Sequence, residues 1–147
     1  IFNIGDARVY LLRDGMLSQV TRDHSRVQIL IEAGELTPEQ ARRNPRRNIV
    51  TRALGGGIAD SAIPDLYSVP VASGDRLLVC SDGLSDELDD EGIATVLAAG
   101  YAAQRTAELL VGASLEGGGH DNTTAVVVDS TEVPVTAPVD ALAEGVR

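Results

Sequence analysis

The chain has 147 residues, with 12 basic against 22 acidic side chains and a formal net charge of −10. This length predicts one domain, and the acidic balance argues against binding to nucleic acids or anionic membranes. The sequence has no long apolar segment, so we expect no membrane insertion by this segment. The single cysteine, Cys80, excludes an intramolecular disulfide and indicates a reducing compartment, the cytoplasm. The sequence begins at Ile1 inside a strand-like segment, and we expect further residues upstream.

The first predicted elements are two β-strands, residues 7–13 and 17–20, joined by a hairpin turn at residues 14–15. Asp6 comes immediately before them, beside a glycine, where it forms either a metal ligand or a turn with its own backbone. His24 follows the hairpin. We expect it to be a hydrogen-bonded turn residue, because no second His or Cys stands at ligand spacing.

Two short helices are predicted next, the first capped by Ser25 and the second by Thr37. Residues 22–52 hold seven arginines against four acids, a local charge of +3 in a chain whose remainder is −13. Four of the arginines form a cluster: Arg42, Arg43, Arg46 and Arg47. A basic insert in an acidic chain indicates contact with an anionic partner, although a solvated loop would have the same composition.

Three further strands are predicted in the middle of the chain. Residues 49–54 end at a run of three glycines, and residues 66–71 form the next strand. Residues 77–80 are a short apolar run of the kind that forms a buried strand, and the predicted strand spans residues 76–81. Cys80 lies in this run and is interpreted as a buried apolar residue rather than as a nucleophile.

An acidic segment follows this strand, and residues 77–104 contain no Lys or Arg. Its acids are Asp82, Asp86, Glu87, Asp89, Asp90 and Glu91. Gly83 permits a sharp turn, so Asp82 is expected to project from the end of the sheet, where oxygen ligands suit Mg²⁺, Mn²⁺ or Ca²⁺. The alternative is that Ser85 or Asp86 caps the next helix while the other acids face solvent.

Two helices are predicted after the acidic segment. Asp89 or Asp90 caps the first, which ends at Gly100. The second carries apolar residues at helical spacing between residues 103 and 111, and the glycines at 117–119 interrupt it.

Asp121 precedes the last predicted strand, residues 124–128. We expect this strand and residues 76–81 to be central in a sheet, because each contains a continuous apolar run, which is typical of strands covered on both faces. Asp6, Asp82 and Asp121 would then all lie at strand ends. That arrangement favours a metal site over three unrelated turns.

Five motifs, in this order, resemble the PPM family of bacterial metal-dependent protein phosphatases, also called protein phosphatase type 2C. They are NIGDAR, RDHS, TRALG, CSDGLSD and GGHDNTT. The resemblance implies an α+β fold, a four-layer αββα sandwich of two antiparallel sheets with helices outside. It implies that residues 1–129 are the C-terminal part of such a domain, truncated at the N terminus, with residues 25–48 as a flap beside the active site. Residues 130–147 are expected to be a tail or linker.

The resemblance also implies roles for individual residues. Asp82 and Asp121 would bind the second ion of a catalytic pair of Mn²⁺ or Mg²⁺, and Asp6, Asp82 and Asp86 a third ion. Gly83 and Asn122 would support these ligands. The flap residues that would bind substrate are Arg42, Arg43, Arg46 and Arg47.

The implied activity is hydrolysis of phosphoserine and phosphothreonine in phosphorylated protein substrates by a metal-activated water. The family's first half supplies a metal-bridging Asp-Gly pair, a phosphate-binding Arg and a general-acid His, none of which has a counterpart here. We therefore expect the fragment alone to be inactive and to need the missing first half or a homodimer partner. The alternatives are a non-catalytic pseudophosphatase or regulatory phosphoprotein-binding module, and an acidic scaffold in which the Asp residues are caps and turns.

Overall fold

The computed structural model describes residues 1–55 and 63–132, which form two antiparallel sheets and five helices. The strands are β1 (Phe2–Asn3), β2 (Arg8–Arg13), β3 (Met16–Gln19), β4 (Asp65–Leu66), β5 (Arg76–Cys80) and β6 (Ala125–Asp129). The helices are α1 (Arg26–Glu32), α2 (Pro38–Arg42), α3 (Asp82–Ser85), α4 (Asp90–Ala98) and α5 (Ala103–Gly117). The sheets have the strand orders β1-β4 and β3-β2-β5-β6.

The predicted hairpin is confirmed by the pairing of β2 with β3. Asp14 and Gly15 form its turn with φ angles of 51° and 77°. Two positive φ angles are what a two-residue type I′ turn requires, and Asp-Gly adopts them at low cost. The hairpin places β2 beside β5, so the start of β2 and the end of β5 lie at the same end of the sheet.

The core lies between one face of the four-stranded sheet and the helices α3, α4 and α5. Its residues are Tyr10, Leu12, Leu78, Cys80, Leu84, Ile93, Leu97 and Leu110. Alternate residues of β2 and β5 point into this core, as the two-residue period of a strand requires. The prediction that Cys80 is a buried apolar residue is confirmed, because it is 2% exposed.

The prediction of two central strands is confirmed for β5 and wrong for β6. In the described part of the chain, β6 pairs only with β5 and forms the edge of the sheet. Val127 packs against the core, but Val126 and Val128 are 51% and 48% exposed on the opposite face, and Val79 of β5 is 43% exposed beside them. The apolar character of β6 is typical of a strand that is covered on both faces, but the described residues cover only the face that carries Val127.

Residues 25–48, the predicted flap, contain the two expected helices, α1 and α2. The Ser25 side chain accepts a hydrogen bond from the third residue of α1, and Thr37 forms a reciprocal capping box with Gln40. The two ends of the flap meet at an antiparallel bridge between Ser25 and Val50, with a hydrogen bond of 2.8 Å from Arg26 N–H to the Ile49 carbonyl.

Two predicted strands are wrong. Residues 49–54 contribute only the bridge at Val50, and the predicted glycine turn that follows extends beyond residue 55, outside the described residues. Residues 66–71 form a strand only at Leu66, where β4 pairs with β1. The Tyr67 N–H still donates to the Ile1 carbonyl at 2.9 Å, but no described strand pairs with residues 68–71. Both segments have strand-like composition, but apart from these contacts neither pairs with a strand among the described residues.

The C-terminal helices are close to their predicted positions. Asp89 caps α4 by accepting a hydrogen bond from Gly92 N–H, and α5 ends in the predicted glycine run, with Gly118 after its last residue. Within the described ranges, none of the helices has the length and apolar character needed to span a membrane. Most of the predicted tail, residues 133–147, lies outside the described residues.

Candidate functional site

Ser81 joins the two segments that carry Asp82 and Asp121. Its hydroxyl donates to the Asn122 carbonyl at 3.1 Å and accepts from Thr124 N–H at 3.0 Å. Its main-chain N–H donates to the Thr124 carbonyl at 3.1 Å. The end of β5 and the start of β6 are therefore fixed side by side, which brings two carboxylates that are 39 positions apart in the sequence to one end of the sheet.

The predicted supporting role of Gly83 agrees with a close approach of two main chains. A Cβ atom on Gly83 would lie 2.5 Å from the Asn122 carbonyl oxygen, so any larger residue would push the segments apart. The fully buried hydroxyl of Ser114 in α5 donates to the Gly83 carbonyl at 2.9 Å and lies 2.9 Å from the Thr123 hydroxyl. Sequence analysis missed Ser114, because a lone serine in a helix carries no signal of such a contact.

Asp82 and Asp121 each accept a hydrogen bond from the main-chain N–H of the next residue, although Asp82 begins α3 and Asp121 lies in a loop. Oδ1 of Asp82 accepts the N–H of Gly83 at 2.9 Å, and Oδ1 of Asp121 accepts the N–H of Asn122 at 2.6 Å. Each carboxylate is thus oriented by one oxygen, while the second oxygen accepts no hydrogen bond from the described residues. Asn122 supports the Asp121 segment through its main chain: its N–H donates to the Asp121 carboxylate, and its carbonyl accepts from the Ser81 hydroxyl.

Asp6 and Asp86 line the same cleft as Asp82. Burial raises the pKa of Asp6, and the negative charges of Asp82, Asp23 and Asp86 raise it further. This end of the sheet therefore holds carboxylates that repel one another, and a divalent cation would relieve that repulsion. Asp121 is exposed and does not line this cleft.

The oxygen-rich donor set suits Mn²⁺ or Mg²⁺. In residues 1–55 and 63–132, however, no three His, Cys, Asp or Glu side chains lie close enough together to form a ready metal site. The four candidate ligands fit a divalent ion by their chemistry, as an incomplete set that would need water or further protein ligands.

The cleft, about 730 Å³ in volume, lies between the flap and the carboxylate end of the sheet. Arg42 crosses it and donates to the carbonyls of Ser85 at 3.0 Å and Asp86 at 3.4 Å. Arg47 forms an ion pair with the Asp86 carboxylate, with 3.4 Å between Nε and Oδ2. Arg43 lines the cleft and Arg46 lies outside it, both exposed and without an ion pair to the described residues. The four predicted flap arginines thus form two pairs with different contacts.

Arg8 is a cleft residue that sequence analysis did not select. Its guanidinium binds both carboxylate oxygens of Asp23, with a shortest distance of 2.7 Å, and donates to the Tyr10 hydroxyl at 2.9 Å. Burial opposes its charged form, but the hydrogen bonds to Asp23 raise the pKa of Arg8 above its ordinary value. Arg8 is therefore a permanent, internally paired cation in the cleft wall. The sequence signal is the Arg of NIGDAR itself.

His24 connects three of the motifs, and its prediction as a hydrogen-bonded residue is confirmed. Its ring Nδ1 accepts a hydrogen bond from the Gly5 N–H at 3.1 Å, and the main-chain N–H of His24 donates to the Gly5 carbonyl at 2.9 Å. Its Nε2 lies 3.0 Å from Asp65, which also pairs with Arg52 at 2.7 Å. The main chain next to Asp6 is therefore held from inside the protein, by a histidine that is 1% exposed.

No family model matches the chain. The serine/threonine protein phosphatase PstP of Mycobacterium tuberculosis is 45% identical over 129 residues, and the serine/threonine phosphatase stp of Listeria monocytogenes is 36% identical over 129 residues. Each alignment covers 88% of this chain. The first covers 24% of the Mycobacterium protein, and the second covers 50% of the Listeria protein. The chain thus spans half or less of the length of these relatives.

The crystal structure of the PstP catalytic domain in complex with two manganese ions superposes with a TM-score of 0.79 at 42% identity. The superposition covers 89% of this chain and 53% of that chain. It confirms the predicted α+β fold of two antiparallel sheets with helices. By sequence and by structure, the chain belongs to the PPM family of serine/threonine protein phosphatases and corresponds to about half of their catalytic domain.

Proposed function

We propose that this chain forms part of a phosphatase that hydrolyses phosphoserine and phosphothreonine in proteins, using a water activated by Mn²⁺ or Mg²⁺. The observation that carries this proposal is the docking of the Asp82 and Asp121 segments through Ser81. The names of the relatives support it, as does the manganese in the crystallised PstP domain. Because the chain spans half or less of these relatives, the activity would belong to a complete domain.

When bound, the divalent ions would supply a hydroxide nucleophile at neutral pH and neutralise charge on the phosphoryl oxygens. Asp82 and Asp121 would hold the second ion of the catalytic pair, and Asp6 and Asp86 would join Asp82 at a third site. Gly83 and Asn122 would keep the two ligand segments in contact. No nucleophilic side chain is needed, which agrees with the burial of Cys80.

The substrate would be a phosphorylated protein that approaches along the flap. Arg43 and Arg46 are available to bind its anionic groups, because both are exposed and neither forms an ion pair within the described ranges. Arg42 and Arg47 contact the segment after α3 and would instead set the position of the flap. The predicted cluster of four would therefore divide into a substrate-binding pair and a flap-docking pair.

Residues 1–129 would form the C-terminal part of the catalytic domain, with residues 25–48 as the flap and residues 130–147 as a tail or linker. The fragment alone would bind metal weakly and turn over little substrate. It would need the first half of the domain or a homodimer partner. We place this activity in cytoplasmic signalling, where phosphoserine and phosphothreonine are removed from proteins.

A fusion tests this function. The part of the PstP catalytic domain that this chain does not match is joined to the chain, and phosphate release from a phosphothreonine peptide is measured at increasing Mn²⁺. We expect Mn²⁺-dependent release from the fusion and little from the chain alone, because the chain holds an incomplete ligand set.

The control variant is Asp82→Asn, which keeps the shape of the side chain and removes its charge. Release from this variant should fall by at least about 100-fold, since loss of a metal ligand removes the activated water. A fusion that folds and binds Mn²⁺ without turnover would instead support a non-catalytic binding module.

A further inference from the structure

Glu87 and His120 link the two segments that carry the candidate metal ligands. Glu87 follows Asp86 in the segment between α3 and α4, and His120 immediately precedes Asp121. Oε1 of Glu87 accepts two hydrogen bonds from His120, one from the main-chain N–H at 3.3 Å and one from ring Nδ1 at 2.8 Å. A carboxylate only accepts, so Nδ1 of this ring carries the proton.

The glycines before His120 make this contact sterically possible. A Cβ atom on Gly118 would collide with the His120 ring and would lie 3.0 Å from Oε2 of Glu87. A Cβ atom on Gly117 would lie 3.4 Å from the same carboxylate oxygen. The ring therefore folds back over Gly118, and the Glu87 side chain packs against the glycine run.

This contact differs from an ordinary surface ion pair. The Glu87 side chain is only 11% exposed, although that of His120 is 79% exposed. Glu87 accepts one hydrogen bond from the His120 main chain and one from the His120 ring, so it fixes both. His120 is the residue directly before Asp121.

We propose that Glu87 is a positioning residue for Asp121, which it holds through the main chain and ring of His120. The proposal rests on the proposed function, because it requires Asp121 to bind a metal ion. The Ser81 hydroxyl holds the residue after Asp121 by donating a hydrogen bond to the Asn122 carbonyl. Asp121 is itself exposed, so these two flanking contacts hold its main chain, and the Asn122 N–H orients its carboxylate.

The expected effect is a loss of metal affinity. Partners that orient a metal ligand without touching the ion typically change affinity by about 10- to 100-fold. Asp82 would keep its own contacts in a Glu87 variant, because Gly83 and Ser81 hold it separately. The variant should therefore still bind an ion, but more weakly.

The experiment is a Mn²⁺ titration of the 147-residue chain, followed by the electron paramagnetic resonance signal of free Mn²⁺. E87A removes the acceptor, whereas E87Q removes the charge and keeps an acceptor oxygen. E116A is the matched control, because it removes one exposed carboxylate from the last turn of α5 with the same change in net charge. We expect about tenfold weaker binding for E87A, a much smaller change for E87Q and none for E116A.

The proposal is overturned if E87A binds Mn²⁺ like the wild type, or if E87Q and E87A lose affinity equally, which would indicate an effect of charge alone. Should E87A fail to fold, H120A decides, because it removes the ring contact and keeps the main-chain contact. H120A should then lose part of the affinity, and unchanged affinity would count against positioning. A wild-type chain that binds no Mn²⁺ would contradict the metal site that Asp82 and Asp121 form in the proposed function, whereas normal wild-type binding with no effect of Glu87 contradicts only this inference.

Discussion

Cys80 shows how its surroundings remove the reactivity of a side chain near a candidate active site. It is the last residue of β5, 2% exposed, and burial raises the pKa of its thiol to about 11. A thiol at neutral pH with this pKa is almost entirely protonated, and the protonated form is a poor nucleophile. Cys80, two positions before the proposed ligand Asp82, is therefore unreactive as a nucleophile at neutral pH.

We predict that Cys80 reacts with a disulfide reagent at pH 8 about two orders of magnitude more slowly in the native chain than in guanidinium, because little thiolate forms and access is blocked. The measurement is the rate of absorbance change with Ellman's reagent. C80A with M16C is the control, since Met16 is 77% exposed and should react equally fast in both conditions. Fast native labelling of Cys80 would show that the end of β5 opens.

At this scale, sequence reasoning selected the candidate carboxylates but not the residues that contact them. Asp82 and Asp121 were selected because each stands beside an apolar strand, and their metal ligation stays a prediction. Ser114 and Glu87 were not selected as supports, because a serine in a helix and one acid among six give no local signal of a contact across the fold. Their roles depend on segments that become neighbours only after folding.

The flap is the element whose charges can be tested separately. We predict that R43A/R46A in the fusion raises KM for a phosphopeptide by about tenfold at low salt and by less at high salt, because exposed cations attract an anionic substrate through a screened field. Steady-state kinetics at two ionic strengths measure this effect.

R42A/R47A is the matched pair with the same charge change. It should reduce the salt dependence less, because these two side chains already contact Ser85 and Asp86. Equal effects from both pairs would contradict the division.

Four of the five described helices and the hairpin were predicted, because their signals are local. Helix α3 was not predicted, since no side-chain cap marks its start and Gly83 indicated only a sharp turn. Ser25, Thr37 and Asp89 each cap the helix that follows, and residues 14–15 form the expected turn. The strands at 49–54 and 66–71 were predicted wrongly, because a strand exists only where a partner strand supplies hydrogen bonds. Composition reports how well a segment would suit a sheet, but not whether a neighbour is present.

The four-stranded sheet as a whole exposes an apolar face and an edge, both at β6. We predict that the 147-residue chain self-associates at micromolar concentration, because unpaired edges and apolar faces favour association. Analytical ultracentrifugation measures this, and V126T/V128T should reduce it while retaining good strand propensity. V127T is the control, since Val127 packs against the core and its change should lower stability instead. A strictly monomeric wild type would contradict the prediction.

The bridge between Ser25 and Val50 has a consequence for how the flap can vary. The chain leaves the body of the protein and returns to it at nearly the same point, so the excursion between is a closed loop with a fixed base. The free-energy cost of closing such a loop, which comes from lost chain entropy, rises by only about 0.6 kcal/mol for each doubling of the loop length. An ancestor or a designer could therefore shorten, lengthen or exchange this excursion while the sheet beneath it kept its strand pairing. The proposed substrate-binding surface would change at little thermodynamic cost to the proposed metal-binding part.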